Sequence, residues 1–239
     1  MDKILNNIKL EKTKFIEKVK EANGTFTFKF KIPNNITWTE GTHFHIAFTD
    51  FIKDSKPDKD LVRSFSIMSL NEENCLAFTT RIKESCSVFK QKLMKLNSGD
   101  EMFIFKIGNN IEVKSEYKSV VFISMGVGIA TFRPLIKKYI IFPSLNYNLT
   151  NINVDSSKSY LFKGELESSN KDGLSNIYVQ SRKELYQEID NCLKNRDSQY
   201  YIVGSDDFIK NLISYLIYNS VKKDNIFIDK KMDLRKTFL

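Results

Sequence analysis

Glycine and proline are scarce in this chain, 9 and 4 of 239 residues, and no low-complexity linker interrupts it. Its three cysteines, Cys75, Cys86 and Cys192, are widely spaced. They form no Cys-x-x-Cys pair and no iron–sulfur spacing. Their odd count speaks against a disulfide framework and fits a reducing compartment. No apolar run approaches the roughly 18 residues of a membrane span. Met1 to Asn7 lacks the hydrophobic region of a signal peptide. The expectation is therefore a soluble, cytoplasmic protein. The net charge of +8 is spread as +3 over residues 1–116 and +5 over 117–239, without a polybasic block. That speaks against a nucleic-acid-binding face, which needs clustered Lys and Arg with interleaved aromatics. A diffuse positive field instead steers anionic ligands or an acidic protein partner. The only two histidines, His43 and His45, alternate along a predicted strand with no third ligand at a plausible spacing, so no metal site is expected. There is no glycine–serine nucleophile elbow and no paired-carboxylate constellation.

What is present is enough to build a core: 41% hydrophobic residues, among them 19 phenylalanines. The first half alternates apolar and polar residues, the pattern of half-buried strands. Predicted strands cover Phe26 to Ile32, His43 to Thr49, Leu76 to Ile82, Met102 to Phe105 and Ile111 to Val113. The last two flank a turn at Gly108-Asn109-Asn110. One helix, Ser87 to Leu96, interrupts them, with Ser87 as N-cap and Ser98-Gly99-Asp100 as its end. Short strands at this spacing predict an antiparallel barrel over residues 1–116.

The pattern changes near Tyr117. Val120 to Ser124 is a continuous apolar strand of the kind buried on both faces. Helices at 132–141, 160–166, 183–193 and 207–219 then alternate with strands at 150–154, 177–180, 200–203 and 226–228. Residues 117–239 therefore read as an α/β domain with a parallel sheet between helices.

Gly126-Val127-Gly128 follows the first of these strands and opens a helix. It reads either as a dinucleotide-binding turn, with helix N–H groups facing a pyrophosphate, or as a plain tight turn. Ser181-Arg182 and Gly204-Ser205 follow other strands at their carboxyl ends, where parallel sheets bind ligands. Arg182 either forks onto a ribose phosphate or is solvated while Ser181 caps the next helix.

Arg63-Ser64-Phe65-Ser66 resembles the Arg-x-Tyr-Ser flavin motif of the ferredoxin–NADP reductase superfamily. Gly126-Val127-Gly128-Ile129-Ala130-Thr131-Phe132-Arg133 is similar to that family's Gly-x-Gly-Ile-Ala-Pro-Phe-Arg. Tyr201-Ile202-Val203-Gly204-Ser205-Asp206-Asp207-Phe208 is similar to its Tyr-x-Cys-Gly-Pro-x-x-Met. The resemblance spans most of the chain and implies an FAD-binding barrel domain (1–116) followed by an NAD(P)-binding domain (117–239).

It also implies roles. Arg63 meets a flavin phosphate, Phe65 packs on the isoalloxazine and Ser66 hydrogen-bonds near the reactive N5, making Ser66 the catalytic candidate. Ser64 lies within the same motif. Thr80, Arg81 and Ile82 flank the ribityl and adenosine parts, and Ser87 and Val88 open a helix against the pyrophosphate, which favours FAD. Phe238 either covers the flavin or is a packed chain end. Gly126, Val127, Gly128, Ile129, Ala130 and Thr131, with Ser181, Arg182, Gly204, Ser205 and Phe208, bind the nicotinamide nucleotide, and Ser181-Arg182 leans toward NADPH. Phe65, Thr131, Val203 and Ser205 depart from the family's Tyr, Pro, Cys and Pro. The implied activity is hydride transfer from NAD(P)H to FAD, then electron transfer to a small molecule or an acidic carrier such as ferredoxin or flavodoxin. The alternative is a non-catalytic, flavin-bound electron-transfer or regulatory subunit.

Overall fold

A computed structural model describes residues 9–53, 56–113, 117–142, 147–168, 171–195, 197–230 and 232–239. The chain forms two compact units, residues 1–109 and 110–239, dividing ahead of the composition change at Tyr117.

The first unit holds β1 (Glu11–Ala22), β2 (Thr25–Phe30), β3 (Thr42–Phe48), β4 (Ile52–Lys53), β5 (Lys56–Pro57), β6 (Val62–Ser66), β7 (Leu76–Arg81), α1 (Val88–Met94) and β8 (Glu101–Asn109). Six strands pair antiparallel in the order β6-β3-β8-β1-β2-β7. Just past β6, the Met68 N–H donates to the Ala77 carbonyl of β7 at 2.8 Å. The Ala77 N–H donates to Ser69 Oγ at 3.0 Å. The sheet thus curls until its outer strands meet, as the antiparallel barrel pattern required.

Phenylalanines fill the interior. Phe28 and Phe30 both stack on Phe78, at 5.6 and 5.8 Å, and Phe44 meets it edge-on. Burying each such ring contributes about 1.5–3 kcal/mol. That is far more than an exposed ion pair contributes, about 0.2–1 kcal/mol. This explains how β1 holds with only Thr13 and Phe15 fully buried among its twelve residues.

Two expectations fail here. Gly108-Asn109-Asn110 is not a turn, because β8 runs on to Asn109 with a bulge opposite the His43–His45 stretch. A side chain at Gly108 would meet the His43 ring at 3.2 Å. Asn109 is held by bonds from its Nδ2 to Thr39 Oγ1 and the Glu40 carbonyl. Ile111 to Val113, predicted as a strand, is irregular, though Ile111 is buried.

The second unit holds β9 (Ser119–Met125), α2 (Ile129–Ile141), β10 (Asn148–Val154), α3 (Lys163–Glu167), β11 (Leu174–Val179), α4 (Arg182–Leu193), β12 (Ser198–Val203), α5 (Asp206–Tyr218), β13 (Ile226–Ile228) and α6 (Met232–Arg235). The five strands are parallel, in the order β11-β10-β9-β12-β13. Val121 and Ile123 of β9 pack with Leu185 and Ile189 of α4 and with Ile209, Leu212 and Ile213 of α5. Phe122 points to the opposite face, where it stacks on Phe132 of α2 at 4.4 Å. Helices therefore cover both faces, which is why the central strand is apolar at every position from Val120 to Ile123. β9 is followed in sequence by a neighbour on one side, β10, and later by one on the other, β12. That reversal opens a crevice beyond the strands' carboxyl ends.

Among the described residues, no helix is long and apolar enough to cross a membrane.

Candidate functional site

In the first unit, β6, β7 and α1 bring together most of the residues read as flavin-binding. Strand alternation puts Arg63 and Phe65 on one face of β6 and Ser64 and Ser66 on the other, opposite His45 and His43. Arg63 is anchored through Nη1 to the carbonyls of Lys59 and Val62, each at 2.6 Å. Its guanidinium lies 5.8 Å from the centre of the Phe89 ring. Its carboxylate neighbour, Asp60, stands off at 3.9 Å. Phe65 stacks on Phe78 at 4.1 Å and 13° yet remains half-buried, so its ring is only partly covered.

Lys90 Nζ donates to the Arg81 carbonyl at 2.6 Å, tying α1 to the end of β7. Burial pushes the Lys90 ammonium below its usual range; Cys86 opposes this, and the Arg63 and Lys83 cations add to it. α1 begins at Ser87, whose hydroxyl makes no cap bond. The first N–H groups of a helix have no intrahelical acceptor. A guanidinium, a crowded ammonium and uncapped N–H groups form a donor set suited to a diphosphate. The half-exposed Phe65 ring suits a planar heterocycle.

Val88 is exposed beside this set, and so is Arg81. Thr80 is buried. The Ile82 N–H is committed to the Gly24 carbonyl at 2.6 Å, leaving its side chain as the part free for a ligand. A cavity of about 340 Å³ lined by Ile36, Ile104, Phe105 and Lys106 shares no residue with this group.

In the second unit the candidate residues gather at the carboxyl ends of the strands. Gly126 has φ +53°, a backbone setting that glycine adopts readily. Gly128 serves a different need: a Cβ there would sit 2.9 Å from the Val203 carbonyl of β12. Its missing side chain thus lets the turn close against the sheet. Ile129, Ala130 and Thr131 are buried as whole residues, and the Ile129 N–H is bonded to the carbonyls of Gly126 and Val127.

Ser181 caps α4 by accepting the Glu184 N–H at 3.2 Å, and Glu184 returns a bond to the Gln180 N–H at 2.8 Å. Arg182 is exposed and has no partner among the described residues. Ser205 caps α5 through the Phe208 N–H at 3.3 Å. Phe208, read from sequence as nucleotide-binding, is 2% exposed and sits in the core. Its ring lies where a Cβ on Gly204 would meet it at 2.5 Å. It shapes the turn and offers no surface to a ligand. Phe238 is partly buried against the second unit's core, with Lys210 and Lys230 about its ring.

Sequence reasoning missed three features of this unit. Asn153 of β10 reaches the Gly126 turn, donating from Nδ2 to Ser124 Oγ and the Gly126 carbonyl. Tyr160 and Tyr178 form an aromatic pair at 5.1 Å, with Lys163 Nζ 5.0 Å from the Tyr178 ring centre. Burial pushes both phenols up, so both are neutral at physiological pH. Arg133 and Lys137 of α2 converge on Glu165 of α3 at 2.6 and 2.7 Å. The Arg133 fork onto Glu165 was readable in principle, as an arginine facing the inside of an apolar helix. Among the described residues, no group of three His, Cys, Asp or Glu is placed to hold a metal ion.

A curled antiparallel sheet followed by a five-stranded parallel sheet between helices is the two-domain fold of ferredoxin–NADP reductases and related flavin reductases. The ferredoxin NADP+ reductase of Neisseria gonorrhoeae, solved with bound FAD and NADP, superposes with a TM-score of 0.76 at 14% identity, over 92% of this chain and 98% of that one. The Plasmodium falciparum ferredoxin-NADP+ reductase gives 0.74 at 18% identity, over 95% and 97%. The Amycolatopsis cytochrome P450 reductase GcoB gives 0.76 at 11% identity, over 93% of this chain and 70% of that one. No protein-family model matches the sequence. No curated protein matches it either. At these identities the likeness establishes the fold.

Proposed function

We propose that the chain is an FAD-dependent reductase that takes hydride from NAD(P)H and hands the electrons to an acceptor. The observation that carries this reading is the cluster of Arg63, Lys90, Phe65 and the uncapped start of α1, on a fold shared with a ferredoxin NADP+ reductase solved with FAD and NADP. When bound, FAD supplies an isoalloxazine that accepts hydride at N5 and releases electrons onward.

The chain's own residues bind and orient. Arg63 and Lys90 neutralise the diphosphate, together with the N–H groups at Ser87 and Val88. Phe65 supports the flat ring system. Ser66, which ends β6 on the face opposite Phe65, is the residue that the motif resemblance would assign to N5. In the second unit the backbone from Gly126 to Thr131 receives the nicotinamide nucleotide's pyrophosphate. Gly204 and Ser205 shape the neighbouring loop, and the exposed Arg182 takes a ribose 2′-phosphate. Tyr160 and Tyr178 lie near the same strand ends and offer ring surface to the adenosine part. Cys75, Cys86 and Cys192 form no disulfide with one another, which suits a reducing cytoplasm. The +8 charge suits an acidic carrier of the ferredoxin or flavodoxin kind.

The direct test is the visible spectrum of the purified protein, followed by anaerobic addition of NADPH or NADH. A yellow protein bleached by one of them is expected. A protein that neither carries nor takes up FAD would remove the proposal. A narrower expectation concerns the choice of nucleotide. Arg182→Ala should raise the KM for NADPH about tenfold through loss of one exposed charged contact, with little change for NADH. Equal effects on both nucleotides would show that Arg182 does not read the 2′-phosphate.

A further inference from the structure

Asn153 is out of place by composition. Its neighbours in the sheet are Ile152 and Val154 along β10, Ser124 across on β9 and Tyr178 across on β11, and it is only 1% exposed. A buried amide there is unfavourable unless its bonds serve a purpose.

Its Nδ2 donates to Ser124 Oγ at 2.9 Å, to the Gly126 carbonyl at 3.3 Å and to the Ser124 carbonyl at 3.4 Å. Two of these acceptors are carbonyls, which cannot donate. The nitrogen, not the oxygen, must therefore face them, and the orientation of the amide is fixed. Its Oδ1 is buried and has no hydrogen-bond partner among the described residues. The side chain therefore satisfies its donor half and leaves its acceptor half unmet, an arrangement that packing alone would not favour over leucine.

The effect falls on one peptide group. The Gly126 carbonyl is drawn from below by Asn153 and also accepts the Ile129 N–H at the start of α2. A trans peptide points its C=O and the following N–H in opposite directions. With the Gly126 carbonyl held toward β10, the Val127 N–H is turned away from it, out past the strand ends. As one of the first N–H groups of a helical segment, it has no intrahelical acceptor. Gly126 is buried at φ +53° and Val127 is only partly buried, so this peptide lies at the edge of the packed turn.

We propose that Asn153 is a positioning residue of the nucleotide site, holding the Gly126 carbonyl against the sheet so that the Val127 amide faces the dinucleotide's pyrophosphate. This rests on the proposed function above. It adds a residue on a second strand, 27 positions from the turn it controls.

The test is calorimetric binding of NADP+, NAD+ and adenosine 2′-monophosphate to the FAD-loaded protein and to Asn153→Leu and Asn153→Asp. The monophosphate carries no pyrophosphate and serves as the internal control. In Asn153→Leu, the Kd for both dinucleotides should rise about five- to tenfold, the worth of one oriented hydrogen bond, with the monophosphate unchanged. In Asn153→Asp, the donor returns only when the buried carboxyl is protonated. Dinucleotide affinity relative to wild type should therefore recover as pH falls. Parallel loss of all three ligands, or no pH-dependent recovery, would reduce Asn153 to a structural part and overturn the inference. Wild-type binding with unchanged dinucleotide affinity in both variants would overturn it alone. Wild-type protein that binds neither dinucleotide would remove the proposed function as well.

Discussion

Replacing Glu165 by alanine should be among the most damaging single changes in the second unit. The carboxylate takes Arg133 Nε at 2.7 Å and Nη2 at 2.6 Å, and Lys137 Nζ at 2.7 Å. The Arg133 side chain is 9% exposed and Glu165 34%. Removing the anion takes from both cations the acceptor they share between α2 and α3. Stripping one partner from a fully buried pair costs about 3–5 kcal/mol, and the partial exposure of Glu165 lowers the expectation here to about 2–4 kcal/mol. Glu165→Gln keeps the shape and one acceptor, and should lose less.

The sequence supplies its own reporters. The single tryptophan, Trp38, lies in the first unit and all ten tyrosines lie beyond residue 116. The loss should therefore appear first in denaturant titrations followed by tyrosine emission; an unchanged tyrosine transition would show that the triad contributes nothing net. The acid limb follows the same group. Burial pushes the Glu165 carboxyl up, but the bonds from Arg133 and Lys137 outweigh it and hold it below its ordinary 4.5. A depressed carboxyl contributes stability that is complete above its ordinary value and is lost as pH falls through the lower folded value. Glu165→Ala should therefore flatten that part of the pH–stability curve.

The second large effect belongs to cofactor retention. Arg63→Ala removes a guanidinium whose main anchors are two backbone carbonyls and the face of Phe89. A charged hydrogen bond to a phosphate contributes about 1.5–3 kcal/mol, so the FAD dissociation constant should rise roughly 10- to 150-fold. Folding of the first unit, read by Trp38 emission, should change little. Arg63→Lys keeps the charge without the planar fork and should fall between. Undiminished flavin occupancy in Arg63→Ala would remove Arg63 from the cofactor site.

The apolar runs at Val120 to Ser124, Tyr200 to Val203 and Ile226 to Ile228 announced the parallel sheet, because strands buried on both faces leave no polar alternation. β1 left no such trace. Its Lys and Glu residues lie on the outside of the sheet, and pairs such as Lys29–Glu17 and Lys12–Glu101 form only across strands. Gly108 misled for a related reason: the glycine accommodates the ring of His43, 65 positions away, rather than a local turn. Phe208 was assigned by its place in a motif, and only packing shows that the place is inside the core. Asn153 was invisible in a chain so rich in asparagine, since what sets it apart is its contact with a turn on another strand.

The close approach of Gly128 to Val203 also bears on how this region tolerates change. The Val203 carbonyl belongs to the backbone, so no substitution at position 203 withdraws it. Any side chain at position 128 therefore requires the backbone of the turn or of β12 to move, and no side-chain change at position 203 can relieve it.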